Sequence, residues 1–201
     1  MNENYAREVL VEFCNMLYDR ELTFSAGGNM SMMIGDSEIL ITPSGRNKGL
    51  LKPEDLVLVG TDGDVISGGT PSIETGIHLA LYNLNPETKA VVHCHPLYCT
   101  AVATKNRKLR TDLTPEGVML LGDVPLIPYH TPGSEELVAA IIANHESKAM
   151  LMARHGAITQ GRSIEEAFNR MEEMEFQAKL QTITGRASSL PWSEVEKLIR
   201  M

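Results

Sequence analysis

The sequence predicts an α/β layered domain, with a central, mostly antiparallel sheet and helices packed on its faces. Short β-prone runs separated by Gly, Pro and Asp turns fill the stretch after the first helix, and helical periodicities alternate with strands beyond residue 70. The composition is ordinary for a globular chain. Of 201 residues, 43% are hydrophobic and 22% charged, which excludes disordered, collagen-like and coiled-coil classes. That length suits one core, so residues 1–201 are expected to form a single domain with one site.

In chain order, Tyr5, Val9, Leu10, Phe13, Met16 and Leu17 recur at helical spacing, giving an amphipathic helix that ends near Arg20. The turn Ala26-Gly27-Gly28-Asn29 follows. Strands are expected at Met30–Ile34, Glu38–Thr42, Leu56–Val59 and Asp64–Ile66, joined as antiparallel hairpins by Gly-Asp, Pro-Ser-Gly, Pro-Glu-Asp and Asp-Gly turns. A helix opens after Pro71-Ser72, with Ile73, Ile77, Ala80 and Leu81 on its apolar face, and a buried strand follows at Ala90–Cys94. A second helix starts at Ser134, where Glu135 and Glu136 suit the positive end of the helix dipole. Strands at Met150–Ala153 and Ala157–Gln160 come next. Ser163 with Glu166 forms a capping box for a long helix to about Thr184, and Ser193 with Glu196 repeats it for a short terminal helix.

Lys and Arg number 18 against 26 Asp and Glu, and the formal charge of -8 repels polyanions, so neither nucleic acid nor an anionic membrane surface is an expected partner. A small anion remains compatible with that charge, because backbone N–H groups can form a local nest. The longest apolar stretches, Val138–Ala143 and Ala149–Ala153, fall far short of the roughly 20 residues that span a bilayer. The amino terminus lacks a basic start, apolar core and small-residue cleavage site, so a cytoplasmic location is expected. Cys14, Cys94 and Cys99, an odd count without paired spacing, suit reduced thiols.

Chemistry concentrates in Val91-Val92-His93-Cys94-His95. Strand parity projects His93 and His95 to one face and Cys94 to the other. A third imidazole, His155, ends another apolar strand, and three imidazoles with an open position make a catalytic zinc arrangement. The plainer alternative is a polar sheet face with a partly buried, hydrogen-bonded His155. Cys94 offers a thiolate but has the wrong parity. Glu74, in the first turn of the helix opened by Ser72, is either a favourable charge at a helix start or a general acid/base, and the residues alone lean to the former. His78, four residues on, reads as structural, as do His130 and His145. Gly27-Gly28-Asn29, Ser44-Gly45 and Ser72 could each bind an anion, though each is individually explained as turn or cap chemistry. Lys105, Arg107, Lys108 and Arg110 read as a solvated loop face.

Taken together, Gly28-Asn29 with Ser31, Ile41-Thr42-Pro43-Ser44-Gly45, Pro71-Ser72-Ile73-Glu74 with His78, His93-Cys94-His95-Pro96 and Arg154-His155-Gly156 resemble the class II aldolase/adducin family, of the L-fuculose-1-phosphate aldolase type. The resemblance runs from about Ala6 to Thr184, with five motifs in order. It implies a homotetramer with active sites at subunit interfaces, one zinc ion per subunit on His93, His95 and His155, and Glu74 as the catalytic acid/base. It also implies a ketose 1-phosphate substrate, its phosphate among Gly28, Asn29, Ser44, Gly45 and Ser72. Zinc would bind the C2 carbonyl and neighbouring hydroxyl, and C3–C4 cleavage would leave an enediolate, then dihydroxyacetone phosphate and an aldehyde. Two positions depart from the aldolase pattern: Ile73 stands where a second serine precedes the glutamate, and no tyrosine lies near Thr114, the region of the family's interface tyrosine. The same site could therefore serve a sugar-acid phosphate decarboxylase or a ribulose-phosphate 4-epimerase, with dihydroxyacetone phosphate expected from the aldolase alone. A non-catalytic adducin-like module would not need the three histidines and Glu74.

Overall fold

The computed structural model describes residues 2–201 and bears out the α/β layered class. The helices are α1 (Glu3–Asp19), α2 (Thr75–Leu84), α3 (Leu97–Thr104), α4 (Glu135–Ile142), α5 (Ile164–Thr184) and α6 (Trp192–Ile199). The strands are β1 (Asn29–Met33), β2 (Glu38–Ile41), β3 (Val57–Gly60), β4 (Val65–Ser67), β5 (Ala90–Cys94), β6 (Leu126–Ile127), β7 (Ala149–Met152) and β8 (Gly156–Gly161). They form one eight-stranded sheet in the order β4-β3-β2-β1-β5-β8-β7-β6. Only the β6–β7 pair runs parallel among the described residues.

Alternation along the central strands divides the core into two layers. Ala90, Val92 and Cys94 of β5 join Leu10, Leu17, Phe168 and Met171 on the side covered by α1, α3 and α5. Val91 joins Ile77, Leu81, Leu137 and Ile141 on the side covered by α2 and α4. The sheet is therefore buried on both faces, which is why its central strands are almost wholly apolar. No helix among the described residues is long and apolar enough to cross a membrane.

Several local expectations change. α2 begins at Thr75, not in the turn after Ser72; Ile73 precedes it, 66% exposed, and His78 and Tyr82 join Ile77 and Leu81 on the buried face. The Ser163 cap on α5 is present, but the Glu166 carboxylate turns back to the Arg162 amide. α6 starts after Pro191 without a side-chain cap, so Ser193 lies inside its first turn. α3 and β6 carried no separate signal, being an eight-residue helix of weak amphipathicity and a two-residue strand. The basic loop is solvated except at Arg110, which donates to the Ala187 carbonyl at 2.6 Å. The three cysteines are buried and free, and burial pushes the Cys14 thiol up to about 12.

Candidate metal centre

β5 and β8 are antiparallel neighbours, so the carboxyl end of one meets the amino end of the other and brings His93, His95 and His155 together. Met152 ends β7, and the chain turns through Arg154, held in the left-handed region at φ 56°, to present His155 before β8 starts. Gly156 makes the approach possible: a Cβ there would lie 2.4 Å from the Cys94 carbonyl oxygen and 2.7 Å from His95 Cδ2. Gly28, at φ 71°, does the same for the first turn, since a Cβ would meet the His93 carbonyl oxygen at 2.6 Å. Cys94 points into the opposite layer, as parity requires.

The ring centroids of the three histidines stand 4.9 to 5.1 Å apart, and Nε2 of His93 and of His95 are separated by 3.2 Å. A tetrahedral zinc with nitrogens at about 2.0–2.1 Å separates them by about 3.3 Å, so this spacing fits a divalent cation. His93 Nδ1 donates to the Ala157 carbonyl at 2.8 Å, which leaves Nε2 as the free lone pair. Burial first, then the neighbouring His93 and His155, depress the His95 pKa to about 3; burial and His93 depress that of His155 to about 4. These two rings are therefore neutral at ordinary pH, the form in which an imidazole can ligate a metal.

Glu74 closes the cluster. Its Oε2 lies 3.2 Å from His93 Nε2 and its Oε1 lies 3.3 Å from His155 Nε2. Burial opposes ionisation, but the groups that face it, His93 and His155 together with the Asn29 amide that donates to Oε2, outweigh it and hold the carboxyl below the usual carboxylate range. Glu74 is the residue before α2 but makes no side-chain cap there; its amide donates to Ser72 Oγ at 3.2 Å, and its carboxylate faces the imidazoles. Buried Oε1 takes no hydrogen bond. Oε2 accepts from Asn29 Nδ2 at 2.9 Å.

His78 proves to be more than a packed ring. Its Nε2 donates to Asn29 Oδ1 at 2.5 Å, and its Nδ1 accepts from Ser31 Oγ at 2.7 Å, itself 2.8 Å from the Tyr82 hydroxyl. Tyr82, Ser31, His78 and Asn29 thus form a buried hydrogen-bond chain that ends on Glu74. Burial, with the nearby His93, lowers the His78 pKa to about 3, so the ring is neutral, and the proton sits on Nε2 because Asn29 Oδ1 can only accept. The sequence offered only the four-residue spacing of Glu74 and His78. His130 and His145 lie outside the cluster, and His145 Nδ1 bonds the Ile142 carbonyl at the end of α4.

The candidate phosphate turns are tied to one another, and two of them adjoin the cluster, Gly28 against the His93 carbonyl and Ser72 through the Glu74 amide. Backbone bonds join Thr42 to Met30, Ser72 to Thr42, and Ser44 to Thr70. The Ser44 and Ser72 amides are consumed in this way, so the donors left are the Ser44 and Ser72 hydroxyls and the amides of Gly28 and Gly45. Residues 8–182 match the class II aldolase and adducin N-terminal domain.

The chain belongs to the class II aldolase/adducin family. It is 38% identical over 190 residues to the 3-oxo-tetronate 4-phosphate decarboxylase of Escherichia coli strain K12, covering 91% of this chain and 89% of that one. It is 35% identical over 173 residues to the L-fuculose phosphate aldolase of Methanococcus vannielii, covering 86% and 93%. Among solved structures, it superposes on the candidate aldolase/epimerase/decarboxylase YgbL of Escherichia coli with a TM-score of 0.94 at 35% identity, covering 98% of this chain and 99% of that one. Against an L-fuculose 1-phosphate aldolase the TM-score is 0.89 at 29% identity, covering 96% and 94%.

Proposed function

We propose that this chain is a zinc-dependent carbon–carbon lyase acting beside the ketone of a sugar phosphate. Decarboxylation of a 3-oxo sugar-acid 4-phosphate is the favoured reaction, and cleavage of a ketose 1-phosphate of the L-fuculose type is the second reading. The observation that carries this is the convergence of His93, His95 and His155 with the Glu74 carboxylate at 3.2 and 3.3 Å. When bound, the ion supplies Lewis acidity toward the oxygen on which negative charge develops.

The two reactions share one three-carbon fragment. In 3-oxo-tetronate 4-phosphate, the phosphate-bearing carbon, ketone and hydroxyl-bearing carbon follow in the same order as C1 to C3 of a ketose 1-phosphate. Loss of the carboxylate as carbon dioxide therefore also yields dihydroxyacetone phosphate. That product, expected from the sequence to mark an aldolase, does not separate the two; the leaving group does. Carbon dioxide departs without surrendering a proton, whereas an aldehyde needs a base at the departing hydroxyl. The expected tyrosine is lacking there, and Thr114 is bonded by Gln177 at 2.6 Å. This difference, and the similarity to decarboxylases, support decarboxylation.

Loss of carbon dioxide passes the electron pair of the broken C1–C2 bond into an enediolate, and Glu74 Oε1 then delivers to C2 a proton taken up from water, which restores the ketone. Asn29 holds Oε2 in place, and its second amide hydrogen is available to the phosphate. Gly28, Ser44, Gly45 and Ser72 hold the phosphate through the donors that the fold leaves free. Phe24, Ile73 and Leu97, each 65% exposed or more and each within four residues of a site position, fit coverage by neighbouring subunits in a homotetramer of a cytoplasmic enzyme.

The test incubates zinc-loaded protein with 3-oxo-tetronate 4-phosphate and, separately, with L-fuculose 1-phosphate, assaying carbon dioxide and aldehyde. Chelator-sensitive carbon dioxide release from the first supports the favoured reading. Aldehyde from the second alone establishes the aldolase, and turnover of neither removes both.

A further inference from the structure

Lys48 is among the largest fully buried side chains, 1% exposed, and no described carboxylate pairs with it. Its Nζ donates to the Ala26 carbonyl at 3.1 Å and to the Arg46 carbonyl at 2.7 Å. Those carbonyls lie on the two turns that carry Gly28-Asn29 and Ser44-Gly45. The residue is pinned from below as well: it begins a short 3-10 turn (Lys48–Leu50) in which Asn47 Oδ1 accepts from the Gly49 amide at 2.9 Å. That turn packs so closely on α1 that a Cβ at Gly49 would lie 2.6 Å from the Tyr18 ring. The neighbouring cation, Arg46, is turned to Asp55 at 3.2 Å. Lys48 is therefore the cation of these turns that lacks a counterion.

A buried ammonium without a carboxylate is costly, and the chain keeps one between two of the candidate phosphate turns. Burial lowers its pKa, a penalty that an anion arriving at the turns would relieve. We propose that Lys48 is the positioning residue and fixed positive charge of the anion cradle, tying the Ala26–Asn29 turn to the Ser44–Arg46 turn so that together they select a phosphorylated substrate. Being enclosed, it acts through the two loops and its field, without touching the ligand. The inference rests on the reading that these turns hold the substrate phosphate.

The probes are dihydroxyacetone phosphate and unphosphorylated dihydroxyacetone, titrated into zinc-loaded wild type, Lys48→Met, Lys48→Arg and a Ser44→Ala/Ser72→Ala double variant. Lys48→Met is expected to weaken binding of the phosphate ester by about 10-fold or more, the scale of a lost charge-assisted interaction, and to leave dihydroxyacetone binding and zinc content unchanged. Lys48→Arg should restore most of the affinity. If Lys48→Met does not fold, Lys48→Gln, neutral but still a donor, is measured in its place. Wild-type affinity in the neutral variant with weakened binding in the double serine variant would overturn the role of Lys48 and leave the cradle standing. Wild-type affinity in the double serine variant would remove the cradle itself, and the inference with it.

Discussion

The histidine cluster and the turns beside it share Glu74 and Asn29 but are built in opposite ways. The cluster stands on adjacent antiparallel strands, where parity and register fix the side chains: His93 pairs across the sheet with Ile158, and His155 immediately precedes β8. The turns are held by scattered backbone bonds and by Lys48, and two of their four evident amide donors are already used. Regular structure places chemistry with the precision of its repeat. Irregular structure needs dedicated ties, and those ties are far apart in sequence.

The largest effect should come from the strand-built part. His93→Ala is expected to lose the metal and lower turnover by about 1000-fold or more, several kcal/mol of charge stabilisation, while the chain stays folded. Retained metal and activity would break the contrast at its firmer side. Next, Glu74→Gln should keep its metal and lose about 100-fold or more in turnover, the range for a proton-transfer group. A rate like the wild type would return Glu74 to a purely local role at the start of α2.

A smaller effect is expected in the turns. Ser72→Ala should raise KM for a phosphorylated substrate by about 10-fold with less change in kcat, one hydrogen bond to a charged group being removed. A fall in kcat alone would mean that Ser72 serves Glu74, whose amide it accepts, more than it serves the phosphate.

His93, His95 and His155 were legible because a period of two forces alternate residues together and a strand end presents its last side chain. The sheet with helices on its faces followed from the order of the elements. Glu74 was ambiguous from the residues, since a carboxylate near a helix start has a sufficient local reason; what decides its surroundings is Asn29, 45 residues earlier in the chain. His78 read as structural because a ring on an apolar helix face gives no sign that Ser31 and Asn29 will meet its two nitrogens from another strand. Lys48 carried no signal at all, because a lysine in a polar turn is ordinarily solvated, and only the packing of that turn on α1 buries it.

The smallest expected effect concerns this hidden support. His78 has a folded pKa of about 3 against an ordinary value of 6.5, so between those values the unfolded chain binds a proton that the folded chain refuses. Its contribution to stability is complete above the unfolded pKa and is lost as pH falls, by at most about 1.4 kcal/mol per pH unit. Urea unfolding of metal-free protein at pH 7 and pH 5 should show this loss, and His78→Gln should make it shallower. Equal slopes would mean that His78 does not refuse the proton.

The most direct test of the metal centre is X-ray absorption at the zinc edge of the loaded protein. The arrangement predicts an inner shell containing three imidazole nitrogens at about 2.0–2.1 Å and no sulfur. A zinc–sulfur distance near 2.3 Å, or fewer than three imidazoles, would contradict it.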